Sequence, residues 1–397
     1  MMKSSFSLPR FLQVAILFSL MSHAVLAVPV RHRHRPVHHA TAVRSAAVVH
    51  RSISQSSSAL IHRAAYHAPP PVVVRGGPWT EPTYADSTMG DNADGEDLDV
   101  RRSAVEALGA YNGSVVVADP NTGRILTIVN QKLALGSGFQ PCSTIKVSVA
   151  LAALSEKVVG NDGKLFRRGY NLTQALAHSN NYYFATLGTK LGFDKVSYYA
   201  HLFGYGEKAG LNIAGESPGR FPAEPPSNGG VGMLTSFGEE ISQTPLQLAA
   251  LMSALANGGT LYYLQYPRTA QEAAEFAPRV KRQLDIGNVI PDLKPGMRAA
   301  VEYGTARRAM QDEPIAGKTG TCTDSHTHLG WFGSFNDVGD NKLVVVVLLT
   351  GGRPAIGPLA AGVAGEVYRS LAGKNYFAAK RSLTPPPLIS TQICCAR

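Results

Sequence analysis

The β-forming runs of this chain lie at the two ends of one long segment, and the stretch between them reads as helix. Residues 115–118 and 125–129 are β-rich and are joined by the turn cluster Asp119-Pro120-Asn121-Thr122-Gly123, which predicts a hairpin. Helical patterns follow at 143–158, 172–177, 182–191, 194–203, 245–256 and 294–310. The β signal then returns at 315–321, 329–335 and 343–349, the last a nearly all-apolar run suited to a central strand, before a final helix at 361–371. Strands so divided imply that the terminal runs meet in one sheet, with a helical region on the far side. The expected class is α/β (α+β): a sheet flanked by helices plus an all-helical subdomain, with a site where the two regions face each other.

Upstream the composition changes. Residues 28–103 are dominated by Arg, His, Ala, Ser and Pro and then turn acidic through Glu81, Asp86, Asp91, Asp94, Glu96, Asp97 and Asp99. Without a periodic apolar face such a stretch cannot offset its chain entropy, so it reads as a disordered low-complexity linker. Residues 1–27 carry Lys3 and Arg10, an apolar run and then Val25-Leu26-Ala27. They read as an export signal, either cleaved before Val28 or kept as an anchor, since 11–30 is about as long as the roughly 20 residues that span a bilayer. The tail 378–397, with Pro385-Pro386-Pro387, reads as irregular.

The formal charge is +10, and residues 1–100 hold 9 Lys+Arg against 7 Asp+Glu, so the excess sits mainly downstream. A basic exported protein is drawn to anionic cell-wall polymer or a membrane surface. No nucleic-acid motif accompanies the charge, and export removes that partner. The histidines at 32, 34, 38, 39, 50, 62 and 67 fit basic low-complexity sequence rather than a metal tract. Four cysteines occur, Cys142, Cys322, Cys394 and Cys395, and their pairing is open. For Cys142 and Cys322 the simpler expectation is two buried free thiols. A bridge between them would instead staple two candidate site segments together.

Those segments belong to a set of three. Ser143-Thr144-Ile145-Lys146 places a lysine one helical turn from a serine, where it can serve as the base that a weakly nucleophilic hydroxyl needs. Ser179-Asn180-Asn181 falls on the link between two predicted helices, and Lys318-Thr319-Gly320-Thr321 lies on a predicted strand. Each triplet alone is commonplace: a capped helix, a polar turn, a strand end. Their order matches the signature set of serine β-lactamases and penicillin-binding proteins, with Ser-Asn-Asn in place of Ser-Asp-Asn. The turn at 119–126 and the runs 215–220 and 241–248 also resemble that family, so the resemblance covers residues 104–377.

The resemblance implies an antiparallel sheet and a D,D-transpeptidase or carboxypeptidase acting on peptidoglycan stem peptides, without cofactor or metal. In that reading Ser143 is the nucleophile and Lys146 its base, with a pKa lowered by burial and by Lys318. Ser179 relays a proton to the leaving amine, and Asn181 holds Lys146 and the substrate. Lys318, Thr319 and Thr321 meet the substrate's carboxylate, Gly320 leaves room for the acyl chain, and the N–H groups of Ser143 and Thr321 form the oxyanion hole. β-Lactams would acylate the same serine. A β-lactamase and a non-catalytic β-lactam sensor are the competing readings. His326 and His328 are expected in a loop, and Trp331 and Phe332 in the core.

Overall fold

Asp119 sets the first turn: its carboxylate accepts from the backbone N–H of Asn121 and the hydroxyl of Thr122, both at 2.8 Å. Gly123, at φ +77°, supplies the left-handed residue that closes it. The turn joins strands β1 (Gly113–Ala118) and β2 (Ile125–Val129). A separate ribbon pairs β3 (Thr260–Tyr262) with β4 (Val280–Gln283). The remaining strands are β5 (Ile315–Thr323), β6 (His328–Asn336) and β7 (Val344–Gly351), and the main sheet runs β2-β1-β7-β6-β5, antiparallel throughout. The first and last strands therefore meet, as expected, and β5 is left at an edge. This computed structural model describes residues 79–378 apart from 161, 162, 166, 167, 325, 337, 338 and 340. The expected export signal, the linker up to residue 78, Cys394, Cys395 and the tail from 379 lie outside the described residues.

Alternate residues of the central strands feed two cores. Val116, Val344, Val346, Leu348 and Trp331 pack toward the helical lobe, and Val115, Val117, Val345, Val347 and Phe332 pack the other way. Helix Pro245–Ala256, buried at all twelve positions, lies in the first core. Helices Leu98–Leu108 and Gly357–Gly373 cover the second. Each fully buried Val or Leu is worth about 1.5–3 kcal/mol, which is why a sheet with two apolar faces demands helices on both.

The runs 215–220 and 241–248 serve as scaffolding. Thr244 and Gln247 form a capping box at the start of the buried helix, and the Gln247 amide also donates to the Pro218 carbonyl at 2.7 Å. The Glu216 carboxylate accepts from the backbone N–H of Ala209 at 2.7 Å and of Gly210 at 3.0 Å. Gln243 exchanges two 2.8 Å backbone bonds with Phe139, just before the segment that holds Ser143.

Three expectations need correction. The linker read as reaching residue 103 is folded from residue 79 onward: Asp91 and Glu96 each hold Arg101 at 2.9 Å, and they accept from the backbone N–H groups of Asn130, Gln131 and Ile128. Long-range polar pairing does there what an apolar face does elsewhere. The helix expected over 294–310 is Ile290–Glu302, followed by a short 3-10 turn Arg307–Ala309. Tyr303 leaves helical geometry at φ −141°, and Gly304 beyond it lies against the next layer, where a Cβ would lie 2.2 Å from the Ala177 carbonyl oxygen. His328 opens β6, with its ring 4.2 Å from that of Trp79, and is not a loop residue. Trp331 and Phe332 are fully buried, as expected.

Candidate active site

Ser143 lies in a 3-10 turn, Cys142–Thr144, that leads into helix Ile145–Ser155. The helix ends at Ser155 rather than 158, because Lys157 takes a left-handed φ of +54°. From Ile145 to Ala153 every residue is buried, so the side chain one turn beyond Ser143 has nowhere to go but the interior. Lys146 is fully buried, and its Nζ donates to Ser143 Oγ at 2.9 Å.

Lys146 is a hub. The same Nζ lies 2.9 Å from the Ser179 carbonyl oxygen, 3.1 Å from Ser179 Oγ and within hydrogen-bond reach of Asn181 Oδ1, more acceptors than its hydrogens can serve at once. Burial lowers its pKa from the ordinary lysine value to about 7, so near neutral pH a large share of the amine carries a free lone pair. Ser179 reaches the hub because it turns the chain at φ +55° between helices Leu172–Ala177 and Asn181–Leu191. Asn180 caps the second of these, accepting from the Tyr183 N–H at 2.8 Å, which leaves Asn181 as its exposed first residue.

Lys318 enters from β5. It is fully buried, and its Nζ donates to Ser179 Oγ and to the Thr319 carbonyl, both at 2.9 Å. Its pKa is held well below the usual lysine range, first by burial and then by the charge on Lys146. Burial is the main cause of the lowered Lys146 pKa. One continuous chain of hydrogen bonds thus joins Ser143, Lys146, Ser179 and Lys318, with Ser179 Oγ between two amines.

Three residues of the strand motif make contacts within the protein that the sequence did not indicate. Gly320 does not open onto free space: a Cβ there would lie 2.9 Å from the Pro141 carbonyl oxygen and 3.2 Å from Thr144 Cγ2, so the missing side chain seats the nucleophile turn. Thr319 is buried, with its hydroxyl 2.6 Å from that of Thr305. Thr321 is exposed and accepts from the Gly357 N–H at 2.8 Å. Thr305 went unnoticed in the sequence, where no spacing marks it. Its backbone N–H also donates to the Ala177 carbonyl at 3.0 Å, so it ties the Ser179 loop to β5.

The expectation of two free thiols is overturned. Cys142 and Cys322 form a disulfide across 180 residues of sequence, with their Cα atoms 5.6 Å apart. Sequence spacing carries no sign of this, because the two cysteines meet only when β5 is laid beside the nucleophile turn.

A serine hydrogen-bonded to a buried lysine of lowered pKa, with a second serine and a second lysine behind it, is an arrangement able to activate a hydroxyl. The model of the penicillin-binding protein transpeptidase domain matches residues 113–371, and the chain belongs to that family. Stage V sporulation protein D of Bacillus subtilis is 30% identical over 285 residues, which is 61% of this chain and 43% of that protein. Peptidoglycan D,D-transpeptidase MrdA of Haemophilus influenzae is 25% identical over 353 residues, 66% of this chain and 54% of that protein. The chain thus spans about half the length of these curated relatives. Among solved structures, Pseudomonas aeruginosa PBP2 in complex with WCK 5153 superposes with a TM-score of 0.62 at 24% identity, covering 73% of this chain and 77% of that one, and so shares the fold.

Proposed function

We propose that the chain is an exported serine D,D-transpeptidase that acts on peptidoglycan stem peptides through an acyl-enzyme on Ser143. The observation that carries this reading is the 2.9 Å bond between Ser143 Oγ and a lysine whose burial brings its pKa to about 7. Neutral Lys146 takes the hydroxyl proton as Ser143 Oγ attacks the carbonyl between two terminal D-alanines. Ser179 Oγ, between the two lysines, hands a proton to the departing amine of D-Ala. An amine of a second stem peptide then takes the acyl group; where water takes it, the outcome is a carboxypeptidase. Burial disfavours the charge on Lys318, and the approach of the substrate's terminal carboxylate favours it again, so that Lys318 meets that carboxylate as a cation, while the backbone N–H groups of Ser143 and Thr321 receive the oxyanion. β-Lactams acylate the same oxygen. Relatives named as peptidoglycan D,D-transpeptidases support the choice of substrate class. A disulfide beside the nucleophile supports export, since such bonds persist in oxidising compartments.

The test is intact mass after treatment with penicillin. The protein should gain one acyl group, and Ser143→Ala should gain none. A parent protein that stays unmodified, or a Ser143→Ala variant that is still acylated, would remove Ser143 from its role. The lifetime of the adduct separates the remaining readings: hours for a transpeptidase, seconds for a β-lactamase.

A further inference from the structure

The disulfide flanks the reaction centre on both sides. Cys142 immediately precedes Ser143, Cys322 immediately follows Thr321, and in the reading above those two neighbours supply the oxyanion donors. Cys142 is fully buried and sits at φ +52°, a left-handed conformation that a non-glycine residue keeps only when its surroundings hold it there. That φ sets the direction of the next peptide N–H and of the Ser143 side chain. On this junction the chain makes other contacts too. The Trp331 indole N–H donates to the Gln140 carbonyl at 3.0 Å, the Thr144 hydroxyl donates to the Pro141 carbonyl at 2.7 Å, and Gly320 lets β5 lie against Pro141. These hold the turn near the strand, and the covalent bond fixes how the two backbones are turned toward each other.

We propose that the Cys142–Cys322 disulfide is a positioning element for the acylation step: it holds the Ser143 and Thr321 donors in register, so that its loss slows bond formation and leaves substrate binding largely intact. The inference rests on the acyl-enzyme reading. Reduction by a dithiol breaks the S–S bond, yields two thiols and leaves the reductant as its own cyclic disulfide. Cys142 is then free to relax toward negative φ, turning the Ser143 N–H away from the one on β5.

The experiment uses the full chain carrying Cys394→Ser and Cys395→Ser, so that one bridge is in play. A fluorescent penicillin is followed by stopped flow to separate the dissociation constant of the first complex from the first-order acylation rate. Three forms are compared: oxidised, reduced with dithiothreitol, and Cys142→Ser/Cys322→Ser. Loss of the bridge should lower the acylation rate by about 10- to 100-fold, less than the 10²–10³ that follows removal of a donor outright. The dissociation constant should move by less than about threefold, and reoxidation should restore the rate. A rate within about twofold of the oxidised form, or a loss lying wholly in the dissociation constant, would overturn the proposal. Should the double variant fail to fold, the reduced parent gives the same comparison. An oxidised protein that is not acylated at Ser143 at all rejects the transpeptidase reading and this inference together.

Discussion

Two junctions bring the proposed catalytic groups to β5, and they are built differently. The nucleophile turn is joined to the strand by a covalent bond and by a glycine that admits no side chain between them. The Ser179 loop reaches the same strand through hydrogen bonds alone: Lys318 to Ser179 Oγ, and Thr305 to both Thr319 and Ala177. The Ser143 turn and the strand beside it therefore form one rigid piece, as the proposed oxyanion site requires, since its donors must be placed within a fraction of an ångström. The Ser179 loop is held by contacts that can exchange partners, which suits the proton transfer proposed for it. Lys146 spans both junctions, hydrogen-bonded to Ser143 on one side and to Ser179 and Asn181 on the other.

The largest effect is expected where the junctions meet. Lys146→Met removes the base and the tie between the two sides, and should lower the rate of penicillin acylation by about 10²–10⁴. A smaller loss would mean that Lys318 or water takes over as base.

Acidification acts on the same atom without a mutation. Because only neutral Lys146 accepts the proton, the acylation rate should fall about tenfold per pH unit below a break near 7 and level off above it. Stability follows the same sign. The folded pKa lies below the unfolded one, so between about 7 and 10.5 the unfolded chain holds a proton that the folded chain lacks, and this group favours folding more as the pH rises through that window. A flat acylation profile between pH 5 and 8 would contradict the assignment.

Gly320→Ala attacks the rigid junction. The new methyl lies 2.9 Å from the Pro141 backbone oxygen and 3.1 Å from Trp331 Cβ, neither of which moves alone, and overpacking of this kind costs about 1–3 kcal/mol. Thermal unfolding should show the loss, and acylation should slow with it. If the variant is as stable as the parent and reacts as fast, the turn is not seated on the strand as described.

Thr305→Val attacks the hydrogen-bonded junction. It keeps the shape and the backbone bond to Ala177 but leaves the buried Thr319 hydroxyl without its partner, a loss of about 1 kcal/mol. Chemical denaturation should resolve that shift, smaller than the one for Gly320→Ala. The reverse ranking would invert the comparison between the two junctions.

How much was legible beforehand depended on the range of the interaction. The hairpin at Asp119, the helix Pro245–Ala256 with its Thr244 and Gln247 box, and the three strands after residue 315 announce themselves through neighbours within a few positions. The acidic stretch before residue 98 did not. Its partners, the backbone N–H groups of Asn130, Gln131 and Ile128, are some thirty to forty residues away, and carboxylates that pair with main chain leave no periodic mark.

By itself the sequence determined that Ser143 and Lys146 share one local turn, because their spacing is written in the order of residues. It also determined the strands, whose alternating apolar faces must be covered on both sides. Tertiary structure alone decided the disulfide, the true neighbour of Gly320, the place of Thr305 and the depth at which Lys146 is buried. Each of those depends on how far apart two segments remote in sequence come to rest once both faces of the sheet are packed, and no local pattern encodes that distance.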